Sequence, residues 1–375
     1  VRIERIETFD VRWPFDRLLS DAINDTDSWG FAVVRLRTED GYVGTGYTGT
    51  ARGAGNDLIL SAIQRYYAPV LLGADATNIA ARWHDMYWCP LHWCGRSGVS
   101  QMALAAVDIA LWDIAAKRAQ LPLCDYLGGS DAGDFPAYNT NGGWTSFSID
   151  ELVTNAKESV QAGFMALKVK LGIPDALEDV RRVAAVRDAI GTDVDLMTDV
   201  NQAWTLPVAR RIGAALADYD VEWLEEPMDP DDWRAHAQLA RAIETPLALG
   251  EHLYSAHAFE DFISSEAVMY VQPDVTRLGG ISEFLQVASI AAARGLPVCP
   301  HAGEMMQVHQ HMVFVATSAH IFEHIPWGRD LFVDPAVVVD GRLQRPSAPG
   351  AGTAMHDGAL QRYSVSRPQV SEWAR

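Results

Sequence analysis

The chain has 375 residues, 49% of them hydrophobic and 21% charged, with a formal charge of −19 at pH 7. That composition belongs to an ordinary globular protein and excludes a disordered chain, a collagen-like fibre and a coiled coil. A surface this acidic repels nucleic-acid phosphates and anionic lipid, and it admits an anionic small substrate only where a metal or a local basic cluster reverses the sign.

The first residues, Val1-Arg2-Ile3-Glu4-Arg5, alternate charged with apolar side chains and lack the apolar core of a signal peptide. Asp, Arg or Gln interrupts the longest apolar runs short of the roughly 18 residues a membrane span needs, so a soluble, cytoplasmic protein without membrane contact is expected. Arg2–Arg12 alternates like a strand, as does Phe31–Thr38; Asp40-Gly41 signals a turn, and Tyr42–Tyr47 resumes as the second arm of a hairpin. Helical periodicity follows over Leu58–Leu71 and Ser100–Ala119, which makes residues 1–130 an α+β domain. Gly44-Thr45-Gly46-Tyr47-Thr48-Gly49 satisfies GxGxxG but lies in a hairpin arm, not at the end of the first strand of a βαβ unit, so no dinucleotide is expected there. Cys89, Cys94, Cys124 and Cys299 form no CxxC pair and read as buried or incidental thiols of a reducing compartment.

From about Phe135 the rhythm changes. Short apolar runs alternate with helical stretches: Pro136–Asn139, Ala166–Lys170, Val194–Asp199, Val221–Glu225, Pro246–Glu251, Met269–Asp274, Leu296–His301 and His320–Glu323. Regular strand–helix repetition signals βαβ units and a parallel sheet. Eight such runs predict an α/β chain built on a TIM-like (β/α)8 barrel over residues 131–340. A polar, strand-like tail, 341–375, is expected to return to the front domain.

The residues that end these runs carry the chemistry. They are Lys168 and Lys170, Asp199, Glu225, Glu251, Asp274, His301 and Glu323, recurring every 22 to 29 residues. Active sites of such barrels lie at the C-terminal ends of the strands. One carboxylate at a strand end is ordinarily a helix cap or a solvated loop acid. Asp199, Glu225 and Glu251 on three consecutive strands converge instead, and cannot all ionise without a cation. An all-oxygen donor set suits Mg²⁺ first and Mn²⁺ second. Lys168 and Lys170 lie two apart on one strand and so point the same way, one free to act as a base while the other holds an anion. Asp274 and His301 end neighbouring strands as a proton-transfer dyad. His309 and His311 sit at helical positions in a Met-rich stretch and read as packing or substrate-loop residues, and Glu323 as a hydrogen-bonding acid.

With these residues in place the chain resembles the mandelate-racemase branch of the enolase superfamily. Within that branch Gly95-Arg96-Ser97-Gly98, Tyr138-Asn139-Thr140, Gln272-Pro273-Asp274 and Arg277-Leu278-Gly279-Gly280 are similar to the acid-sugar dehydratases acting on galactarate and talarate. The resemblance implies a hydro-lyase, one Mg²⁺ per subunit, a homo-oligomer, and a capping domain made by the N-terminal segment and the tail. It implies that Lys168 and the metal hold the substrate carboxylate, with Asn201, Thr140 and Arg17 as further substrate contacts. Lys170 or His301 removes the α-proton, Glu323 hydrogen-bonds a carboxylate oxygen, and His301 protonates the departing β-hydroxyl to give a 2-keto-3-deoxy acid from an aldonate or aldarate. The same residues suit a racemase or epimerase. A first loop, Pro14–Trp29, with Asp16, Arg17 and Asp21, is expected to close over the barrel mouth, and Gly303-Glu304-Met305-Met306 to border the substrate.

Overall fold

Strands β1 (Ile3–Ser20) and β2 (Asp25–Thr38) form one long antiparallel ribbon in the computed structural model, which describes residues 1–302 and 306–374. Pairing persists from Thr38 out to Ser20–Asp25, through a register shift between Pro14 and Leu19. The stretch Pro14–Trp29 is therefore two strand arms joined by a turn at 21–24, where a closing loop was expected. Trp13 and Leu19 hold the ladder on either side of the shift, paired with Trp29 and Thr26, and the proline costs a bulge rather than the strand. β3 (Val43–Ala51) and a strand of the tail, Gln369–Glu372, flank the ribbon in a four-stranded sheet.

The helix Val99–Ala119 packs on β3. A Cβ on Gly44 would stand 2.1 Å from the Ala110 carbonyl oxygen, and one on Gly46 1.8 Å from that of Ala106. The first two glycines of the GxGxxG match thus serve close strand–helix contact. By length and hydropathy this helix could cross a membrane, contrary to expectation, yet 78% of its apolar window is buried inside the fold. Its polar residues are spent on that burial. Asp113 accepts the backbone N–H of Thr45 at 2.9 Å and of Ala351 at 2.8 Å, and Asp108 accepts the Ser282 N–H at 2.9 Å and its hydroxyl at 2.7 Å. The run Leu58–Leu71 is an α-helix from Asn56 that widens into a π-turn at Ile63–Tyr67 and resumes at Ala68. Pro69 supplies no N–H to the regular ladder just there. Cys94 is exposed, against the expectation of a buried thiol, while Cys89, Cys124 and Cys299 are buried.

Burial pushes the Asp108 carboxyl up to about 7 from 3.8, against the pull of the Ser282 hydrogen bonds. A raised folded pKa means that this group's contribution is fully present below its unfolded pKa and is lost as pH rises through 7. Chemical unfolding of wild type and Asp108→Asn from about pH 4 to about pH 8 should show the wild type alone losing roughly 2–4 kcal/mol relative to the variant. Parallel pH profiles would refute the assignment.

The barrel strands β4 (Asp134–Asn139), β5 (Ala166–Lys170), β6 (Asp195–Asp199), β7 (Val221–Glu225), β8 (Leu247–Leu249) and β9 (Tyr270–Val271) run parallel in that order. Leu296–His301 contributes only Val298, bridged to Val271 and Ala319, and β10 (Phe322–His324) pairs with β4 to close the ring. Pro297 and Pro300 carry no N–H, which reduces the seventh strand to that bridge, and Pro246 and Pro273 bound the short β8 and β9. The ring is filled by Tyr138, Ala166, Met197, Trp223, Ala248, Cys299 and Ile321, with Tyr270 beside them. Large and small side chains together fill the ring, so the interior is a solid floor rather than a pore. Two short strands, β11 (Val338–Val339) and β12 (Arg342–Gln344), add antiparallel to β4 on the barrel side. The tail returns to the cap sheet from the helix Asp357–Tyr363 onward, ending in β13 (Gln369–Glu372) on β1.

Candidate active site

Parallel pairing in register sets the strand ends side by side, Lys170 opposite Asp199 and Asp199 opposite Glu225. All three are buried, as is Glu251 just beyond β8. One carboxylate oxygen from each of Asp199, Glu225 and Glu251 lies within 4.8 Å of the others. The Lys170 ammonium donates to Asp199 at 2.5 Å, and Lys168 reaches both Glu225 oxygens at 2.9 and 3.0 Å and Glu323 at 2.8 Å. Trp223 and Gln272 donate to Glu225 at 3.1 and 2.8 Å, and Arg277 donates to Glu251 at 2.7 Å. The second Glu251 oxygen is buried with no hydrogen-bond partner. Three hard oxygen donors, one of them orphaned, fit a divalent cation of the Mg²⁺ type.

On the other side of the mouth the His301 Nδ1 lies 2.8 Å from Asp274, and its Nε2 lies 3.4 Å from Glu251 and 4.0 Å from Glu323. Asp274 is held by the backbone N–H and hydroxyl of Thr276, both at 2.7 Å. Glu323 accepts the Thr140 hydroxyl at 2.8 Å and the Ala302 N–H at 3.1 Å. These fields act on every proton. Burial lowers the affinity of His301 for its proton, but Glu251, Glu323 and Asp274 overcome it and carry the imidazole up to about 10. Burial likewise opposes charge on Lys168, yet Glu225 and Glu323 hold it well above its usual value. Burial, with Asp199 beside it, pushes Glu225 up to about 7, whereas Lys168 and His301 outweigh burial at Glu323 and draw it to about 2.

A cavity of about 270 Å³ opens between these groups and the cap. Lys170, Asn201, Glu251 and His301 line it, with Trp29, Trp144 and Trp327 as an aromatic wall. Lys168, Asp199, Glu225, Asp274, Glu323 and Thr140 are buried but do not line it. Arg17, expected to contact substrate, does not line the cavity; it pairs with Glu151 at 3.1 Å and lies over the Phe147 ring at 4.5 Å. Asn201, at φ +44°, donates its N–H to Asp199 and keeps a buried, unpartnered side-chain oxygen. Of the expected hairpin residues Asp21 faces the cavity, while residues 303–305, expected to border the substrate, lie outside the described residues.

Sequence reasoning passed over several residues. His309 is buried with its Nε2 3.0 Å from the Val275 N–H and 3.1 Å from Asp274, whereas His311 accepts the Cys124 N–H in the core. His252, bound to Glu226 at 2.9 Å, and Tyr254 line the cavity beside Arg277. His252 follows Glu251 directly, Tyr254 follows it by three, and Arg277 follows Asp274 by three, so the loops after the strand ends carried the signal.

The family model described as Mandelate racemase / muconate lactonizing enzyme, N-terminal domain, matches residues 4–128, and that described as Enolase C-terminal domain-like matches 151–359. The L-talarate/galactarate dehydratase of Salmonella typhimurium is 36% identical over 327 residues, covering 87% of this chain and 81% of the relative. Its crystal structure liganded with Mg and L-lyxarohydroxamate superimposes with a TM-score of 0.92 at 34% identity, covering 99% of this chain and 94% of that one. The 3,6-anhydro-alpha-L-galactonate cycloisomerase of Streptomyces coelicolor is 34% identical, covering 97% of this chain and 99% of the relative.

Proposed function

We propose, for a chain that belongs to the mandelate-racemase branch of the enolase superfamily, the activity of a Mg²⁺-dependent acid-sugar dehydratase. The observation that carries this reading is the buried Asp199–Glu225–Glu251 cluster with Lys170 on one side of one cavity and the His301–Asp274 pair on the other. Asp199, Glu225 and Glu251 would hold Mg²⁺, which when bound supplies positive charge to the substrate's carboxylate and lowers the cost of losing the neighbouring proton. Lys168, fixed between Glu225 and Glu323, keeps its charge and adds to that field from below.

Lys170 and His301 hold and move the protons. One of them takes the proton from the carbon next to the carboxylate, and the configuration at that carbon decides which. The imidazolium of His301, oriented by Asp274, gives a proton to the β-hydroxyl. The α C–H and β C–O bonds break, a C=C bond forms, and water leaves; the resulting enol becomes the 2-keto-3-deoxy acid. The same pair on both faces of one carbon would serve epimerisation if the C–O bond held.

A panel of five- and six-carbon mono- and diacid sugars, incubated with Mg²⁺ and assayed for 2-keto-3-deoxy product, tests the reading. Release of water from at least one acid is expected. Products that are only epimerised or only cyclised would overturn it in favour of the racemase or cycloisomerase activities found among the relatives.

A further inference from the structure

The cavity has a floor of mixed charge and a roof without cations. The basic side chains that line it, Lys170, His252, Arg277 and His301, all rise from the barrel, and the acids Asp199, Glu226, Glu251 and Asp274 lie against them. Among the described residues, the cap contributes no Lys, Arg or His to the wall, only Asn24, Thr26, Thr50 and apolar side chains beside one carboxylate, Asp21. Of the cap's arginines, Arg17 pairs with Glu151 and Arg52 with Asp27 at 3.5 Å.

Asp21 is held in place. It accepts the N–H of Ile23 at 2.8 Å and of Asn24 at 2.7 Å across the ribbon's turn, and it lies close enough to Lys170 to act on that residue's charge. The turn itself is seated on the barrel. Gly172, at φ +93°, leaves room for Ala22, since a Cβ there would stand 2.6 Å from the Ala22 methyl, and Thr145 donates to the Ser20 carbonyl at 2.7 Å.

We propose that the substrate is a monocarboxylic acid sugar, its carboxylate at the Asp199–Glu225–Glu251 end and an uncharged polyhydroxyl end under the cap, in preference to a dicarboxylic one. This rests on the dehydratase reading above. A second carboxylate under the cap would meet Asp21 with no cation from the cap to offset it, since Lys170, the barrel cation that Asp21 acts on, is already paired with Asp199, and like charges in a partly closed site repel strongly. Hydroxyl groups, by contrast, donate to a carboxylate and to the Asn and Thr oxygens, and lose nothing in charge.

The test compares six-carbon aldonates with the aldarates that differ from them only at C6, measuring kcat/KM for 2-keto-3-deoxy product with Mg²⁺. The aldonate of at least one pair is expected to be favoured by about 100-fold or more. Asp21→Asn keeps an acceptor for the Ile23 and Asn24 N–H groups and removes the charge, and it should narrow that preference to within about tenfold, chiefly through KM for the diacid. Asn24→Lys, at an exposed position of the turn, should narrow it further by adding a cation. Aldarates dehydrated as well as or better than their partners by wild type would overturn the proposal and leave the dehydratase reading standing. An Asp21→Asn variant with an unchanged ratio and melting temperature would remove Asp21 as its cause. If wild type dehydrates no acid of either kind, the dehydratase reading falls and this inference with it.

Discussion

Glu225→Gln is expected to lower turnover at least about 10⁴-fold and to weaken Mg²⁺ binding at least about 100-fold, read by calorimetric titration of the purified variant. Glu225 is the middle member of the carboxylate cluster, and both its oxygens are committed: Lys168 reaches each, at 2.9 and 3.0 Å, and Trp223 and Gln272 add donors to one. An amide keeps the shape, but it replaces one acceptor by a donor aimed at Lys168 and removes a charge from the trio. Burial and the neighbouring Asp199 already make this carboxylate costly to ionise, so the site tolerates its charge for what that charge binds. Wild type stripped with EDTA should fall to the same activity and recover with Mg²⁺, whereas the variant should not recover. Full turnover of the stripped enzyme would mean that the three carboxylates serve structure alone.

Lys170→Ala and His301→Asn should each lower net dehydration by about 10³- to 10⁴-fold, with substrate affinity changed far less. Lys170 is anchored to Asp199 at 2.5 Å and His301 to Asp274 at 2.8 Å, and both face the same cavity from strand positions on different sides of the ring. Exchange in deuterated water separates their tasks. If Lys170 takes the α-proton, His301→Asn still washes deuterium into that position of the recovered substrate while releasing no water. If His301 takes it, the exchange disappears with the imidazole. Normal dehydration by either variant would exclude that residue from the proton path.

How much of this was readable beforehand depended on where each signal lay along the chain. The barrel and its chemistry shared a period: Lys170, Asp199, Glu225 and Glu251 close successive apolar runs, and parallel pairing in register turns that spacing into proximity. The seventh strand was legible as a run but not as a strand, because Pro297 and Pro300 leave only Val298 to bridge its neighbours. In the cap, alternation stopped being visible at Pro14, so the ribbon's outer half passed for a loop although Leu19 pairs with Thr26 and Ser20 with Asp25 beyond it. Arg17 lies on that outer half, and its partners are Glu151 and the Phe147 ring. The aromatic wall had no local signature at all, since Trp29, Trp144 and Trp327 come from three remote segments and meet only in the folded chain, Trp144 stacked on Trp327 at 5.1 Å and Trp29 6.2 Å from it. His309 was hidden for the same reason. It sits in a Met-rich helix, and its partner Asp274 is 35 residues away.

The most direct single measurement is proton NMR of the wild-type enzyme with Mg²⁺ and an acid sugar it turns over, run in deuterated water. Abstraction of the α-proton followed by loss of the β-hydroxyl makes C3 of the product take its new hydrogen from solvent. The expected result is a 2-keto-3-deoxy acid carrying one deuterium at C3, formed only while Mg²⁺ is present. A substrate that exchanges its α-proton and inverts there without releasing any keto acid, or a keto acid formed equally well in EDTA, would contradict it.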